Sequence, residues 1–323
     1  MNNQLIPTNE PIMSQIDTQS MNALITEVMA ETPYLPEADV TVSVAELTEN
    51  DRNEVLAFLA EQPVQTVCMA GFIRDNGLVS PNNRGTFYSV RNSEGRLEGV
   101  ALIGHATLIE ARTHRAMQEF GVVAQGFQRT HLVLGEKDKI EQFWNYYADE
   151  GQEMRLACRE LLFELRHAMQ VREEVEGLRR ATLADLDKIA PVQAAMAEAE
   201  SGTNPLSVDP EGFIARCTRR IEMGRVWVLE EDGQLIFKAD IQADTPDVIY
   251  LEGIWVNPIA RSKGIGRKCL RQLSQDLLTR TRSICVLVNE ENERAHTFYR
   301  MCNFKKRGVY DSIFLKQVDR RAN

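Results

Sequence analysis

The chain has 323 residues, of which 43% are hydrophobic, and a formal net charge of −10. This length predicts two domains of about 130 to 150 residues each, and the negative charge argues against nucleic acids and anionic membranes as main partners, because both are negatively charged. The six cysteines form no CxxC pair, so we expect neither a disulfide framework nor a zinc site.

The first 38 residues differ in composition from the rest of the chain. Residues 1–38 mix Asn, Gln, Thr, Pro and Ser, which predicts a flexible arm, and one apolar patch at 21–29 predicts a single docking helix within it. No basic start with an apolar core indicates a secretory signal, and no run of about 18 apolar residues could span a bilayer. We therefore expect a cytoplasmic protein.

An alternating α/β pattern follows in residues 39–170. Periodicity and turn signals predict a helix, two strands, a helix, a strand and a helix, at 49–59, 86–90, 97–103, 111–120, 131–134 and 137–148. The charged segment 150–176 cannot be assigned to helix or strand from its periodicity. Its end, residues 171–177, is predicted to be a linker.

A second α/β pattern occupies residues 178–318. It predicts a strand, two helices and three strands, at 178–181, 183–199, 210–223, 226–231, 234–241 and 248–256. Asp232-Gly233 between two strands is a strong hairpin signal, and Thr182 with Asp185 marks the start of the first helix.

The most informative stretch joins the strand at 248–256 to an amphipathic helix that begins near Gly264. The first N–H groups of such a helix have no intrahelical acceptor, and together with the helix dipole they attract an anion. Gly264 and Gly266 would let the anion approach the backbone, and basic residues add positive charge at Arg261, Lys263 and Arg267. The stretch predicts a site for a phosphate-bearing ligand. The alternative is that the glycines only relieve a steric clash.

A second apolar strand, at 283–288, leads into another helix and completes a recognisable pattern. The turn lacks the Gly-Lys-Ser/Thr ending of a P-loop and has only two of the three Rossmann glycines. Over about residues 178–315 the sequence instead resembles the acyl-CoA signature of GCN5-related N-acetyltransferases, the GNAT superfamily. The residues that carry this resemblance are Arg261-x-x-Gly264-x-Gly266, then Asn289-x-x-Asn292-x-x-Ala295-x-x-x-Tyr299, then Phe304.

The resemblance implies an α/β (α+β) fold of tandem GNAT-like domains, each a mixed, mostly antiparallel twisted sheet flanked by helices. Residues 39–170 follow the same order of elements but lack the glycine motif around 104–115 and the later Asn and Tyr. They resemble, more loosely, the degenerate N-terminal half of bacterial two-domain GNAT proteins. Residues 134–136 and 143–144 carry this similarity. Residues 178–318 are then the catalytic domain.

For the C-terminal half the resemblance also implies acetyl-CoA as co-substrate and no metal. A bulge, which Gly253 would tolerate, would part the strand from its neighbour and free the backbone of Ile254, Trp255 and Val256 for the cofactor. The other cofactor positions implied are Arg261, Ser262, Lys263, Gly264, Ile265, Gly266, Arg267, Asn289, Asn292 and Ala295. For the two asparagines, simple turn and cap roles are the alternative.

Two residues are catalytic candidates by the same resemblance. Tyr299 would donate its phenolic proton to the departing thiolate, or else only pack in its helix face with Phe298. Glu252 would take the proton of the amine directly or through water. The alternatives are a solvated strand residue, or one that binds a cationic acceptor without acting as a base. By its helical angle, His296 is expected at the surface.

These residues together predict an acyl-CoA dependent N-acyltransferase that moves acetyl from acetyl-CoA to a primary amine by direct attack in a ternary complex. Acidic residues at Glu198, Glu200 and Asp209 lie where GNAT proteins build acceptor specificity, which favours a small cationic acceptor over a protein tail. The alternative is a catalytically weak CoA-binding regulatory or protein-docking module. We expect a monomer or a homodimer.

Overall fold

A computed structural model describes residues 42–317, and a single mixed sheet of twelve strands dominates them. Across the sheet the strands run in the order β1-β2-β3-β4-β5-β12-β6-β11-β10-β9-β8-β7. Their bounds are β1 (Ser43–Glu46), β2 (Gly85–Arg91), β3 (Leu97–Gly104), β4 (Ala106–Ala111), β5 (Leu132–Glu136), β6 (Met154–Leu165), β7 (Arg179–Arg180), β8 (Val226–Glu231), β9 (Gln234–Asp244), β10 (Val248–Val256), β11 (Ser283–Asn289) and β12 (Lys305–Leu315). The arm predicted at 1–38, with its helix at 21–29, lies outside the described residues.

Helices flank this sheet in both halves of the chain. They are α1 (Arg52–Ala60), α2 (Val67–Asn76), α3 (His114–Gln125), α4 (Lys137–Tyr147), α5 (Leu186–Ser201), α6 (Pro205–Val208), α7 (Pro210–Glu222), α8 (Ile265–Leu277) and α9 (Glu293–Met301). The apolar face predicted for the helix after Gly264 is buried against the sheet, with Cys269, Leu270 and Leu273 fully covered. Within residues 42–317, no helix has both the length and the apolar character needed to cross a membrane.

Both halves begin their first helical segment with the same signal. Thr48 and Asp51 form a capping box at the start of the first half, and Thr182 and Asp185 form another at the start of the second. In each box the threonine side chain accepts from the backbone of the aspartate, and the carboxylate accepts from the backbone of the threonine. The start predicted after Thr182 is therefore present, and the matching box shows that the halves follow one plan.

The last strand of each half lies in the sheet of the other half. β6 belongs by sequence to the first half but pairs with β11 over Ile284 to Asn289. β12 ends the second half but pairs with β5 over Tyr310 to Phe314, and β6 and β12 pair with each other. The two sheets are thus joined into one, and the segment at 150–176 that periodicity left unassigned contains the exchanged strand β6. The division of the chain at 171–177 stays a prediction.

Each half contains one parallel strand pair that divides partway along its length. β4 and β5 pair from Ala106 to Leu108, and β10 and β11 pair from Val248 to Tyr250. Beyond these points the parallel ladders stop, so each half has a cleft between two diverging strands. The sequence pattern missed β4 and started a helix at 111, three residues before α3 begins.

Candidate active site

The edge of the C-terminal cleft is shaped by a bulge at Gly253. Glu252 lies opposite Asp240 on β9 whereas Trp255 lies opposite Lys238, so β10 accommodates one extra residue between them. Gly253 has φ +60°, and a Cβ at this position would lie 2.9 Å from the Lys238 ammonium nitrogen. A side chain is excluded both by this contact and by the left-handed backbone. The bulge expected at Gly253 is therefore present.

Beyond the bulge, β10 has a partner on one side only. Trp255 and Val256 pair with β9, but the parallel ladder to β11 ended at Tyr250. The backbone groups of 254–256 that point toward β11 consequently have no ladder partner, and buried or half-buried backbone groups of this kind are ordinarily satisfied by another molecule or by water. Ile254, Trp255 and Val256 thus line the cleft, while their contact with a cofactor stays a prediction.

The connection from β10 to α8 is a tight turn held by its own side chains. Asn257 accepts a hydrogen bond from the Ile259 N–H at 3.2 Å, and the Arg261 Nε donates to the Val256 carbonyl at 2.9 Å. Ser262 and Gly264 have φ +64° and +84°. Gly264 is the N-cap of α8 and carries no side chain to cap the helix, so the first N–H groups of Ile265 and its neighbours remain available to a ligand.

Glycine is needed at the two positions of this turn for different physical reasons. Gly264 is required by its left-handed φ. Gly266 is buried, and a Cβ there would lie 2.7 Å from Val256 Cγ2, so this glycine allows α8 to pack closely on β10. The steric role given as the alternative is therefore present for Gly266, and the approach of an anion to its backbone stays a prediction.

Positive charge is concentrated on this turn and is not paired with carboxylates of the described residues. Arg261, Lys263 and Arg267 are exposed, and none of them forms an ion pair with a carboxylate within residues 42–317. Partial desolvation lowers the pKa of Arg261, and the nearby Arg294 of α9 lowers it further, so a second guanidinium group adds positive charge beside the turn. Arg294 was not predicted from sequence, because it reaches the turn from a different helix. The arrangement favours an anion.

Asn289 and Asn292 have defined local roles where β11 meets α9. The Asn292 side chain accepts from the Ala295 N–H at 3.0 Å and caps α9, and the Asn289 side chain accepts from the Glu291 N–H at 2.8 Å. The turn and cap roles given as the alternative are therefore present. Contact of these asparagines or of Ala295 with a cofactor stays a prediction.

Tyr299 lies on the face of α9 that packs against the sheet. Its ring is 8% exposed and contacts the rings of Phe298, Phe304 and Phe163 at centroid distances of 5.3, 5.6 and 6.1 Å. Burial raises the pKa of Tyr299, and the charges of Cys302 and Glu200 raise it further. The phenol therefore stays protonated at neutral pH and is able to donate.

His296 is buried, so its predicted surface position is wrong. The ring packs against Phe163 of β6 at 5.7 Å, and its Nε2 lies 2.9 Å from the Asn289 carbonyl oxygen. The helical angle alone could not reveal this contact, because the exchanged strand β6 covers the side of α9 that would otherwise face solvent.

Glu252 stands beside a buried polar network that the sequence did not reveal. The Glu252 side chain is 35% exposed and its nearest cation is Arg220, at 3.9 Å. Behind it, the fully buried Lys238 donates to Gln193 at 2.6 Å and to the Gly253 carbonyl at 3.3 Å, and pairs with Asp240 at 2.7 Å. This network stabilises the bulge, because Lys238 donates a hydrogen bond to the carbonyl of Gly253 at the centre of the bulge.

Three carboxylates from three elements interact around the cleft: Glu252 of β10, Glu160 of the exchanged strand β6 and Glu200 of α5. Glu200 lies at an exposed position of α5, and partial desolvation of its carboxylate, together with repulsion from Glu252 and then Glu160, raises its pKa to about 8. Burial also raises the pKa of Glu160, although a hydrogen bond from Ser312 opposes the shift. Within the described residues, no group of three or more His, Cys, Asp or Glu could hold a metal ion.

The other two acidic residues of the predicted acceptor loop serve the loop itself. Glu198 accepts from the Asn204 amide at 2.9 Å. Asp209 caps α7 through the Gly212 N–H at 3.0 Å and pairs with Arg216 at 3.1 Å. Of the three acidic residues considered from sequence, only Glu200 therefore belongs to the carboxylate cluster.

Comparison with known proteins finds a family that the C-terminal half is similar to. Residues 194–304 match the model of the acetyltransferase (GNAT) family. A GNAT acetyltransferase from Colwellia psychrerythraea is similar over 85% of this chain and 100% of its own, with TM-score 0.54 and 13% identity. A GCN5-related N-acetyltransferase from Sphaerobacter thermophilus is similar over 88% and 99%, with TM-score 0.51 and 13% identity.

A tandem GNAT protein from the clavulanic acid biosynthesis pathway is similar over 86% of this chain and 100% of its own, with TM-score 0.52 and 13% identity. No curated protein sequence matches the chain. At such identities the solved structures establish the fold alone. Residues 194–304 are therefore similar to the acetyltransferase (GNAT) family, and the described chain has the fold of the tandem GNAT protein.

Proposed function

We propose that the protein is an acyl-CoA dependent N-acyltransferase that transfers acetyl from acetyl-CoA to a primary amine, with catalysis in the C-terminal half. The observation that carries the proposal is the basic turn at 261–267. Its three cations have no carboxylate partner within residues 42–317, and it opens a helix whose first N–H groups are uncapped. Helix N-termini with added positive charge bind phosphate groups, and acetyl-CoA carries a diphosphate.

The cleft between β10 and β11 suits the rest of this co-substrate. Along Ile254 to Val256 the side of β10 that faces β11 has no ladder partner, and amides of an extended chain can bind there as an added strand would, although the Val256 carbonyl already accepts from Arg261. The bulge at Gly253 turns the backbone at the level of Glu252. In this proposal an N–H released there polarises the thioester carbonyl, which is the kind of stabilisation that preorganised backbone donors provide.

The proton transfers are assigned to two side chains. Glu252 keeps about a third of its side chain exposed, so it can take the proton of the amine directly or through a water molecule. The amine nitrogen then forms a bond to the carbonyl carbon as the carbon–sulfur bond breaks. Tyr299, which burial keeps protonated, donates its proton to the departing thiolate.

We further propose that the acceptor is a small molecule with more than one positive charge. Asp240 is balanced by Lys238 and Arg220, whereas Glu160 and Glu200 form no salt bridge within residues 42–317, and mutual repulsion with Glu252 raises the pKa of both. Like charges held this close are unfavourable, and a cation that binds among them relieves the repulsion. Glu160 extends the acidic surface beyond the base, so a second ammonium group some distance from the reacting one would find a partner.

Calorimetric titration with acetyl-CoA, together with a thiol-release assay, tests the proposed function. We expect acetyl-CoA to bind, and the double variant Arg261→Gln with Lys263→Gln to weaken binding about tenfold or more, because charge-assisted hydrogen bonds to the diphosphate are lost. Lys268→Gln is the matched control, since Lys268 lies on the same helix but pairs with Glu173 at 3.5 Å. Equal affinity of all three proteins would contradict the phosphate site.

The acceptor is tested with 1,4-diaminobutane and butylamine, which have the same length and differ by one ammonium group. We expect faster thiol release with the diamine, through a lower KM, and a smaller difference between the two amines in the Glu160→Gln variant. A KM ratio that Glu160→Gln leaves unaltered would remove Glu160 from the acceptor site. Binding of acetyl-CoA without thiol release across a wide amine panel would favour the alternative, a CoA-binding regulatory or docking module.

A further inference from the structure

A lysine is fully buried beside the bulge of β10. Lys238 belongs to β9, where its neighbours Phe237 and Ala239 are apolar, and its side chain is 0% exposed. Moving an ammonium group out of water is unfavourable, and an apolar side chain of similar length is often as good or better for the stability of a protein. Stability alone therefore does not explain a lysine at this position.

Three oxygen atoms contact the ammonium nitrogen of Lys238. The nitrogen lies 2.6 Å from the Gln193 amide oxygen, 2.7 Å from the Asp240 carboxylate and 3.3 Å from the Gly253 carbonyl oxygen. Asp240 also accepts from Arg220 at 2.8 Å, so its position is fixed from α7 as well. The side chains of α5 and β9 thus hold the ammonium group in place, and its third contact is with the backbone of the bulge.

The contact with the Gly253 carbonyl orients one peptide group. The carbonyl of Gly253 and the N–H of Ile254 belong to the same planar trans peptide, so they point in opposite directions. Because Lys238 binds the carbonyl, the Ile254 N–H is directed away from Lys238. A hydrogen bond from a charged donor also polarises the peptide group, which makes its N–H a stronger donor.

The N-terminal half offers an internal comparison. On β4, Glu110 lies opposite the fully buried Val100 of β3, whereas in the C-terminal half Glu252 lies opposite Asp240 of β9. The strand β3 contains no lysine, and β4 pairs with it without a shift in register. The half in which this strand pair has no bulge therefore also has no buried lysine beside it.

We propose that Lys238 is a positioning residue for acyl transfer: it holds the peptide between Gly253 and Ile254 so that the Ile254 N–H donates to the carbonyl oxygen of the thioester. This inference rests on the function proposed above and names the backbone donor that acts there. As the amine nitrogen bonds to the carbonyl carbon, an electron pair moves onto this oxygen, and it returns when the carbon–sulfur bond breaks. The N–H stabilises the negative charge that the oxygen carries in between.

Infrared difference spectra of bound acetyl-CoA, with an isotopic label in the acetyl carbonyl, test the proposal without turnover. We expect the carbonyl band to move to lower frequency when acetyl-CoA binds to the wild-type protein, because a hydrogen bond weakens the C=O bond. In Lys238→Met most of this shift should be lost. We also expect kcat to fall about 100-fold, while the Kd of acetyl-CoA stays within about twofold. A purely structural lysine would change stability without moving the carbonyl band.

Thr245→Val is the matched control. Thr245 also donates to a backbone carbonyl of β10, that of Val248 at 2.8 Å, but at the end of the strand away from the bulge. This variant should lower Tm and leave the carbonyl band and kcat as in the wild type. Should Lys238→Met fail to fold, Lys238→Gln takes its place, since an amide can still donate to Asp240 but carries no charge.

The outcomes separate this inference from the function on which it rests. Failure of the wild-type protein to bind acetyl-CoA would overturn the proposed function and the role of Lys238 together. Binding without a shift of the carbonyl band, or with the same shift in the wild type and in every folded Lys238 variant, overturns the role of Lys238 alone. Loss of the shift in Thr245→Val as well would also overturn it, because any loosening of β10 would then have the same effect.

Discussion

The two clefts of the sheet have the same framework but different chemistry. Leu108 and Tyr250 end the parallel ladders of the two halves, and each is followed two residues later by a glutamate, Glu110 or Glu252. Glu110 has a 3% exposed side chain, held by Arg112 and Lys139, whereas Glu252 is 35% exposed and 3.9 Å from its nearest cation. The fold sets the position of the carboxylate, and the neighbouring cations decide whether it is structural or available for reaction.

The most severe test of this comparison replaces the two glutamates in turn. Glu252→Gln removes the proposed base, and we expect kcat to fall about 1000-fold. Glu110→Gln is expected to act on stability instead, by about 1 to 3 kcal/mol, because Arg112 and Lys139 each lose one of two carboxylate partners and keep only Glu61 and Glu136. Turnover by thiol release and urea unfolding of both variants measure the contrast. If Glu252→Gln costs stability and keeps its turnover, Glu252 is a structural residue like Glu110.

The helices that follow the clefts carry, at their seventh residue, aromatic rings that differ by one hydroxyl group. Tyr299 is the seventh residue of α9, and the seventh residue of α4 is the fully buried Phe143. Tyr299→Phe gives the C-terminal half a phenylalanine at this position, as in the N-terminal half. We expect kcat to fall about 100-fold, because the proton donor is lost. The dissociation constant of acetyl-CoA should stay within about twofold, since the ring packing is retained. A fall in affinity with intact kcat would show Tyr299 to be a binding residue.

The strands of the clefts differ at the bulge. Gly253 follows Glu252 with φ +60°, whereas Ala111 follows Glu110 in an unbulged strand. Gly253→Ala must hold a Cβ in the left-handed region and against Lys238, so we expect a loss of about 1 to 3 kcal/mol and about tenfold in kcat/KM. Ala111→Gly, the matched change, should cost about 0.5 to 1 kcal/mol. Equal losses from the two substitutions would mean that the bulge has no special part in catalysis.

The smallest expected effect concerns pH. The pKa of Glu200 is about 8 in the folded protein and near 4.5 when unfolded, so its contribution to stability is full below the lower value and is lost as pH rises toward 8. Thermal unfolding from pH 5 to 9 should therefore show wild type losing stability relative to Glu200→Gln. Glu198→Gln removes the same charge outside the cluster and should follow wild type. Parallel curves for wild type and Glu200→Gln would remove Glu200 from the carboxylate cluster.

Local signals in the sequence predicted much of the C-terminal half. The Asp232-Gly233 hairpin and the helix after Gly264 depend on neighbouring residues, whereas the bulge at Gly253 was implied by the family resemblance, and the structure contains all three. Lys238, Gln193 and Arg220 could not be assigned to the site, because their meeting below the bulge depends on the pairing of β9 with β10 and on the packing of distant helices. A lysine in an apolar strand was the one available hint.

Contacts made through the exchanged strands escaped sequence reasoning altogether. Glu160 and the partner ring of His296 both lie on β6, which is some hundred residues away in sequence from the site that it completes. The segment at 150–176 carries mixed charged and apolar residues, so no periodicity marked it as a strand. Where a strand pairs outside its own half, the pattern of that half gives no indication of its neighbours.

The exchange of β6 and β12 also governs how the chain can unfold and be cut. A fragment ending at 170 would keep β6 without β11 or β12, and would leave β5 as an open sheet edge. Such edges recruit other chains, so separate expression of either half should yield aggregates. Because each half supplies the other with a central strand, the molecule should melt in one cooperative transition, and a ligand that protects one half from heat should protect the other as well.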